Sequence, residues 1–374
     1  MLLKALKYTR FQGEPREWKI IGKGKPGEDA YAEFGNLNLL VGKNASGKSR
    51  TLNVVRTISD LFTGNRTVEN TFYPTERYEL ILGDDETDFR YCIGYKNREI
   101  TEEVLVVNGK KIFDRTEASI SVDPVIPAIT VIQNEYSYPI VKWGASLKSF
   151  MFSNQYEKNH LVEDYTVREA RESNPNETEN LIYTFYRGLD EFGDEFVRDI
   201  VQCMQHIGYP VSEVKIKRNG KGYGLAVEED GKYTINQHEM SHGMFRALAM
   251  FIHLTYALMK NLEVCVLLDD IGEGIDFDRS REMMGVISRK INNSNLQMFI
   301  TTNDRYIMNN ISLRYWTVID RKKEESVFYN YMNSKETFED FRYTGLNNFD
   351  FLATDFYKKG FGTEEEDDTP DTED

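Results

Sequence analysis

The chain has 374 residues, 40% of them hydrophobic, and a formal net charge of −15. That length can bury one large core or two to three lobes, and the acidic balance argues against a protein that coats nucleic acid unaided, since phosphate binding is driven by lysine and arginine. No apolar run is long enough to span a bilayer and "MLLKALKYTRFQGEP" breaks off too early for a signal peptide, so a cytoplasmic chain with no membrane partner is expected. Cys92, Cys203 and Cys265 lack paired spacing and are expected as buried thiols.

The first informative stretch is "NLNLLVGKNASGKSRTLNVV", 36–55. Residues 37–41 read as a short buried strand. Leu52, Val55, Ile58 and Leu61 recur at helical spacing until Gly64. Between them, Gly42, Lys43, Asn44, Ala45, Ser46, Gly47, Lys48 and Ser49 fit the pattern G-x-x-x-x-G-K-[ST], with Arg50 following. The glycines let successive N–H groups face one concavity at a helix start. Lys48 is placed to reach β- and γ-phosphates, and the Ser49 hydroxyl to ligate Mg²⁺. Upstream, Tyr8, Phe11 and Trp18 offer aromatic faces for stacking on a base.

Residues 141–210 are polar and carry helical stretches, with no sustained heptads. "EVKIKRNGKGYGLAVEEDGKYTINQ" alternates like antiparallel hairpins, and its Lys215, Lys217, Arg218 and Lys221 read as a solvated strand face before a nucleic-acid contact. In "HEMSHGMFRALAMFIHLTYALMK", 238–260, the small residues Ser241 and Gly243 flank the start of a long helix. "VCVLLDDIGEGID", 264–276, is a buried strand with Asp269 and Asp270 at its carboxyl end, where ligands bind in open α/β sheets. Asp269 is placed to hold magnesium through water and Asp270 to orient an attacking water, with Glu273 as a substitute. A helix and a second buried strand, 296–300, complete a βαβ unit that ends in Thr301, Thr302, Asn303 and Asp304. "YWTVIDRKKEESVFYNY" has a hairpin pattern. Residues 334–357 are rich in aromatic side chains that either pack on the core or dock a partner. The tail 364–374 holds eight acids and no base, leaving −7 for the rest, and reads as a solvated end.

In this order along the chain, a phosphate loop, a long insertion, a Ser-Gly helix start and a strand with paired acids resemble the ABC-type ATPases. The closer likeness is to the soluble branch of SMC-like and AAA-like ATPases of bacterial phage-defence operons, including the ATPase part of overcoming-lysogenization-defect proteins. The resemblance implies an α/β P-loop fold with a mixed, mostly parallel sheet flanked by helices, antiparallel hairpins and an inserted helical lobe. It implies ATP and Mg²⁺ as cofactors and ATP hydrolysis. "MSHGM" looks like the family signature, so Ser241 and Gly243 would contact the γ-phosphate held by another subunit. Asp269 matches the magnesium carboxylate, Asp270 the catalytic glutamate, Asp276 the aspartate that crosses the dimer interface, Gln133 the magnesium- and water-sensing glutamine, and Asn303 the switch histidine. Aspartate at 270, one methylene short, and asparagine at 303, which cannot act as a base or cation, depart from the pattern and point to slow hydrolysis or to a clamp in which binding matters more than turnover.

The implied organisation is 1–140 and 211–333 as the two halves of the ATPase core, 141–210 as the helical lobe, 334–361 as an aromatic extension and 362–374 as an acidic tail. After Asn303, 71 residues remain, too few for a fused nuclease of the Toprim kind. A homodimer or higher homo-oligomer gating a separate effector, a nuclease or toxin, is therefore expected, with nucleic acid as an open partner. The alternatives are a DNA-repair or DNA-clamp ATPase and an ATP-binding subunit of a transporter.

Overall fold

The computed structural model describes residues 1–25, 27–117, 122–132, 134–151, 161–162, 181–219, 222–272, 274–292 and 294–362. Its strands, in chain order, are β1 (Leu2–Arg10), β2 (Trp18–Gly22), β3 (Ala32–Glu33), β4 (Leu37–Val41), β5 (Glu76–Gly83), β6 (Asp88–Lys96), β7 (Glu99–Val107), β8 (Lys110–Asp114), β9 (Lys148–Met151), β10 (Val211–Asn219), β11 (Gly222–Glu229), β12 (Tyr233–Asn236), β13 (Cys265–Asp269), β14 (Gln297–Thr301), β15 (Trp316–Arg321) and β16 (Glu325–Asn330). The main sheet runs β8-β7-β6-β5-β1-β2-β16-β15-β4-β14-β13-β9, with β3 beside β1, and β10-β11-β12 form a small sheet of their own.

The parallel part is β15-β4-β14-β13-β9. Its central strands β4, β14 and β13 are largely apolar on both faces because both faces are covered. Alternation divides them between two cores: Leu39, Val41, Val266, Leu268, Met298 and Ile300 face one cluster, while Leu40, Cys265, Leu267 and Phe299 face the other. The first cluster lies under the helices Leu181–Phe192, Asp194–His206, His242–Met259 and Phe277–Ile291. The second lies under the helices Lys48–Thr63 and Ser137–Ala145 and extends over the antiparallel strands β1 and β5 to β7. The mixed α/β P-loop architecture expected from the sequence is therefore present, with its parallel strands concentrated around β4.

Within 141–210, the range expected as a helical lobe, β9 joins the sheet beside β13. Among the described residues, the helices Leu181–Phe192 and Asp194–His206 that follow it are tied to the His242–Met259 and Phe277–Ile291 helices and the residue just past the former, Glu191 accepting from Lys260. Asp199 accepts from Thr255 at 2.6 Å and from Lys290 at 2.7 Å. The expected β15–β16 hairpin forms, and β16 also pairs in parallel with β2, which is how the antiparallel half is joined to the parallel half. Gln297 at the start of β14 provides a second tie, accepting from the Leu3 amide at 2.9 Å and donating to the Leu3 carbonyl at 2.8 Å. Cys203 and Cys265 are buried and Cys92 partly so, all as free thiols.

The aromatic extension packs on the core. Phe351 is fully buried, with ring centres 4.6 Å from Phe338, 5.0 Å from Phe341, 6.2 Å from Tyr357 and 6.4 Å from Trp316 of β15. Tyr343 stays exposed. On the small sheet, Lys215 pairs with Glu213 at 2.7 Å and Glu228 at 2.5 Å, which suits a solvated face, while Lys221 lies outside the described residues.

Two outcomes test this packing. Phe351→Ala removes the hub of the aromatic cluster and should cost about 3–5 kcal/mol of stability in denaturant titrations. Lys148 on β9 is 1% exposed and its ammonium lies 3.5 Å from the His253 ring nitrogen. Burial, helped by Arg187, pushes Lys148 down to about 7 from 10.5. Between those values the unfolded chain binds the extra proton, so stability should rise with pH from about 7 to about 10.5. Lys148→Met should flatten that rise when unfolding is followed across the same range.

Candidate functional site

The site begins where β4 ends. Gly47 takes φ 110° as the residue before the Lys48–Thr63 helix, whose first turn has no side-chain cap and no acidic residue. Its leading N–H groups and positive dipole end are thus left for a ligand. Gly42 must be glycine: a Cβ there would lie 2.5 Å from Ser46 Oγ and 2.7 Å from the Ile319 carbonyl. Ala45 is also left-handed, at φ 62°. Ser46 Oγ is buried without a protein partner. An orphaned hydroxyl, a backbone cradle that a Cβ would fill and an uncapped helix start fit a bound phosphate chain.

Lys48 is 8% exposed, and its ammonium donates to the Gly42 carbonyl at 2.9 Å and the Lys43 carbonyl at 3.3 Å. Burial holds it below its ordinary range, and the nearby charges of Asp270 and Asp269 act against that fall. Asp269, last residue of β13, accepts on one oxygen from Ser49 Oγ at 3.0 Å and from Thr301 Oγ1 at 2.5 Å. Thr301 Oγ1 in turn accepts the Asp270 amide at 2.8 Å, and Asp270 sits at φ 52°. Among the described residues no group of three or more His, Cys, Asp or Glu could cage a metal. Among the described residues, Ser49 and Asp269 instead offer oxygens suited to Mg²⁺, which keeps most of its shell as water and phosphate.

Several neighbours of the loop carry no sequence motif. Arg321 donates to the Ala45 carbonyl at 2.8 Å and Ser326 Oγ to the Ser46 carbonyl at 3.1 Å, so the β15–β16 hairpin braces the loop from behind. Trp18 approaches Gly47, 3.9 Å from where a Cβ would stand. The guanidiniums of Arg50 and Arg10 lie over its ring at 4.7 and 5.0 Å. Burial, then the adjacent Arg10 and Arg321, push Arg50 below its usual value. Tyr8 is not available for stacking: it is 2% exposed and hydrogen-bonded to the buried Glu76. Thr301 was readable only as a polar residue after a strand; it belongs to β14 itself.

The signature residues form a second group. Ser241 caps the His242–Met259 helix, its hydroxyl accepting the Met244 amide at 3.1 Å. Gly243 is pressed against the loop after β13, since a Cβ would lie 2.5 Å from the Gly274 carbonyl and 3.3 Å from Tyr209 Oη. Asp276 caps the Phe277–Ile291 helix and pairs with Arg279 at 2.7 Å. The Arg279 guanidinium lies 4.3 Å over the Tyr209 ring. Tyr209 therefore links Ser241 and Gly243 to Asp276, a connection with no signal in the sequence beyond a Gly-Tyr-Pro turn. Ser241 and Asp276 are exposed, as are Lys43, Asn44 and, past β14, Asn303. Gln133 and Glu273 lie outside the described residues.

Comparison with solved structures finds similar folds in the heads of SMC proteins. An Smc head bound to the C-winged-helix domain of ScpA is 12% identical, with TM-score 0.52, covering 88% of this chain and 97% of that one. An Smc head with an extended coiled coil, bound to the C-terminal domain of ScpA derived from Pyrococcus furiosus, is 13% identical, with TM-score 0.51, covering 91% and 99%. At such identity the likeness concerns the fold. No curated protein matches the sequence. A family model matches residues 37–309, from the start of β4 to the helix after β14, and so takes in the phosphate loop, both acids of β13 and Thr301. The chain therefore belongs to the AAA-domain family described as putative AbiEii toxin, type IV toxin–antitoxin system.

Proposed function

We propose that the protein is an ATP-binding and slowly ATP-hydrolysing switch that assembles through shared nucleotide sites and controls a separate effector, in bacterial anti-phage defence. The observation that carries this reading is the Ser49–Asp269 hydrogen bond, which joins the uncapped phosphate-loop helix to the acidic end of β13 at 3.0 Å. In this reading the N–H groups of residues 43–50 hold the triphosphate and Lys48 neutralises its terminal oxygens. Ser49 and Asp269 would hold Mg²⁺, which supplies charge compensation at the β- and γ-oxygens when bound. Asp270, one residue past the strand, orients the attacking water, and its pinned amide limits where the carboxylate can go. Glu273 is the alternative for that task and Gln133 for sensing the ion. Asn303 can hydrogen-bond but cannot act as a base, which supports slow turnover.

Ser241, Gly243 and Asp276 serve the nucleotide of a second copy. Their support is the exposure of Ser241 and Asp276, with the buried Gly243 packed behind them against Gly274 and Tyr209. Nucleotide bound across two chains stabilises only the associated state, so ATP acts as the switch. The family's description as a putative toxin of a toxin–antitoxin system is in keeping with a defence role. Regulation of a separate nuclease or toxin rests on the want of any second catalytic constellation among the described residues.

Solution mass with and without ATP·Mg²⁺, measured beside phosphate release, tests this. Wild type should gain mass with ATP, and Asp270→Asn should hold the larger species while release falls about 100-fold or more. Mass indifferent to ATP, with release persisting in the variant, would overturn both the shared site and the role of Asp270. Separately, Thr301→Val leaves Asp269 and the Asp270 amide without their common partner. Release should drop about 10- to 100-fold with nucleotide affinity little changed; unchanged release would remove Thr301 from the machinery.

A further inference from the structure

At the other end of the parallel strands, away from the phosphate loop, a cavity of about 490 Å³ opens beside the starts of β4 and β15. Arg314, Tyr315, Tyr331, Arg342, Asn36 and Asn292 line it. The volume lies in the range of small-molecule sites, roughly 300–1,000 Å³. Its charge is out of keeping with the rest of the chain, which is strongly acidic. Arg314 and Arg342 are both exposed, and among the described residues neither guanidinium has a carboxylate partner; Arg314 lies 4.9 Å over the Tyr315 ring. The hydrogen bond to Glu339 raises the Tyr331 hydroxyl above its ordinary value, and Arg342 and Arg314 act against that rise. The nearby acid, Glu339, is already engaged, accepting from Tyr331 Oη and lying 3.8 Å from the Lys335 ammonium.

Two unpaired arginines facing one cavity are a receptor for an anion. A guanidinium presents a planar fork that matches phosphate oxygens, and two of them balance a phosphate monoester dianion. A triphosphate is a poor match, for among the described residues that line the cavity Gly35 is the one glycine, and no loop like that of residues 42–47 is present. The tyrosine rings supply faces for a planar body; Asn36 offers a donor and an acceptor at its edge, and Asn292, whose Oδ1 accepts from Tyr315 Oη at 3.0 Å, offers its amide N–H groups. We propose that this cavity binds a small phosphorylated aromatic molecule of the nucleoside monophosphate class, with the phosphate between Arg314 and Arg342 and the ring against Tyr315 or Tyr331. The site is separate from the phosphate loop and does not depend on the function assigned there.

Titration calorimetry on Lys48→Ala protein, in which the phosphate loop is disabled, provides the test with AMP, GMP, CMP, UMP and inorganic phosphate as probes. At least one monophosphate should bind saturably, and adding Arg314→Ala or Arg342→Ala should weaken it about tenfold or more, with melting temperature unchanged because both side chains are exposed. Absence of monophosphate binding, or binding indifferent to both arginines, would overturn the proposal. Inorganic phosphate binding as tightly as every nucleotide would also overturn it, reducing the site to an anion hole. Capture of a polyglutamate peptide but of no nucleotide would replace it with a protein-docking site.

Discussion

One carboxylate oxygen organises the site. Asp269 Oδ1 receives hydroxyls from Ser49 and Thr301, so the ends of β13 and β14 and the helix that follows β4 converge on it. Strand order makes this possible, because β14 lies between β4 and β13 and places Thr301 between the loop and the acid. Parallel pairing puts all three carboxyl ends at one edge of the sheet. A change in that order would separate the phosphate loop from its acids however well each motif was preserved.

The loop is also held from outside the motif. Arg321 and Ser326 bind its carbonyls, and the extension beyond β16 reaches it through the Lys43–Asp355 pair at 3.3 Å. Lys358 pairs with Asp320 at 2.8 Å and Tyr357 donates to the same residue, fixing the extension to the end of β15. Surface pairs of this kind contribute little singly. Their effect here is positional: the aromatic core beneath Phe351 sets where the extension lies, and the extension then flanks residues 43–46. A cavity of about 260 Å³ remains between these residues, β15 and Tyr357.

Motif and periodicity made much of this legible. The bounds 37–41 for β4 follow from five apolar or buried positions before a glycine, and Gly64 ends the next helix at φ 73°. The hairpins of β10 to β12 and of β15 to β16 follow from alternation around turns. What could not be read was the company each element keeps. Nothing in "YWTVIDRKKEESVFYNY" says that β16 pairs with β2, or that Ser326 bonds to Ser46, 280 residues earlier. Lys148 to Met151 lay in a polar stretch read as helical, and it becomes a strand because the edge of β13 offers it hydrogen bonds.

By itself, then, the sequence determined the local chemistry: a glycine-framed loop before a helix, a buried strand ending in two carboxylates, and a small-residue turn opening a long apolar helix. Each depends on backbone freedom or hydrophobic period, which act over a few residues. Tertiary structure alone decided that Thr301 bridges Asp269 and Asp270, that Tyr209 links Ser241 to Asp276, that Trp18 and two arginines gather beside Gly47, and that Arg314 and Arg342 share a cavity. Those pairings join residues far apart in the chain, and they are set by strand order and by the two cores on either face of the sheet, for which no local pattern codes.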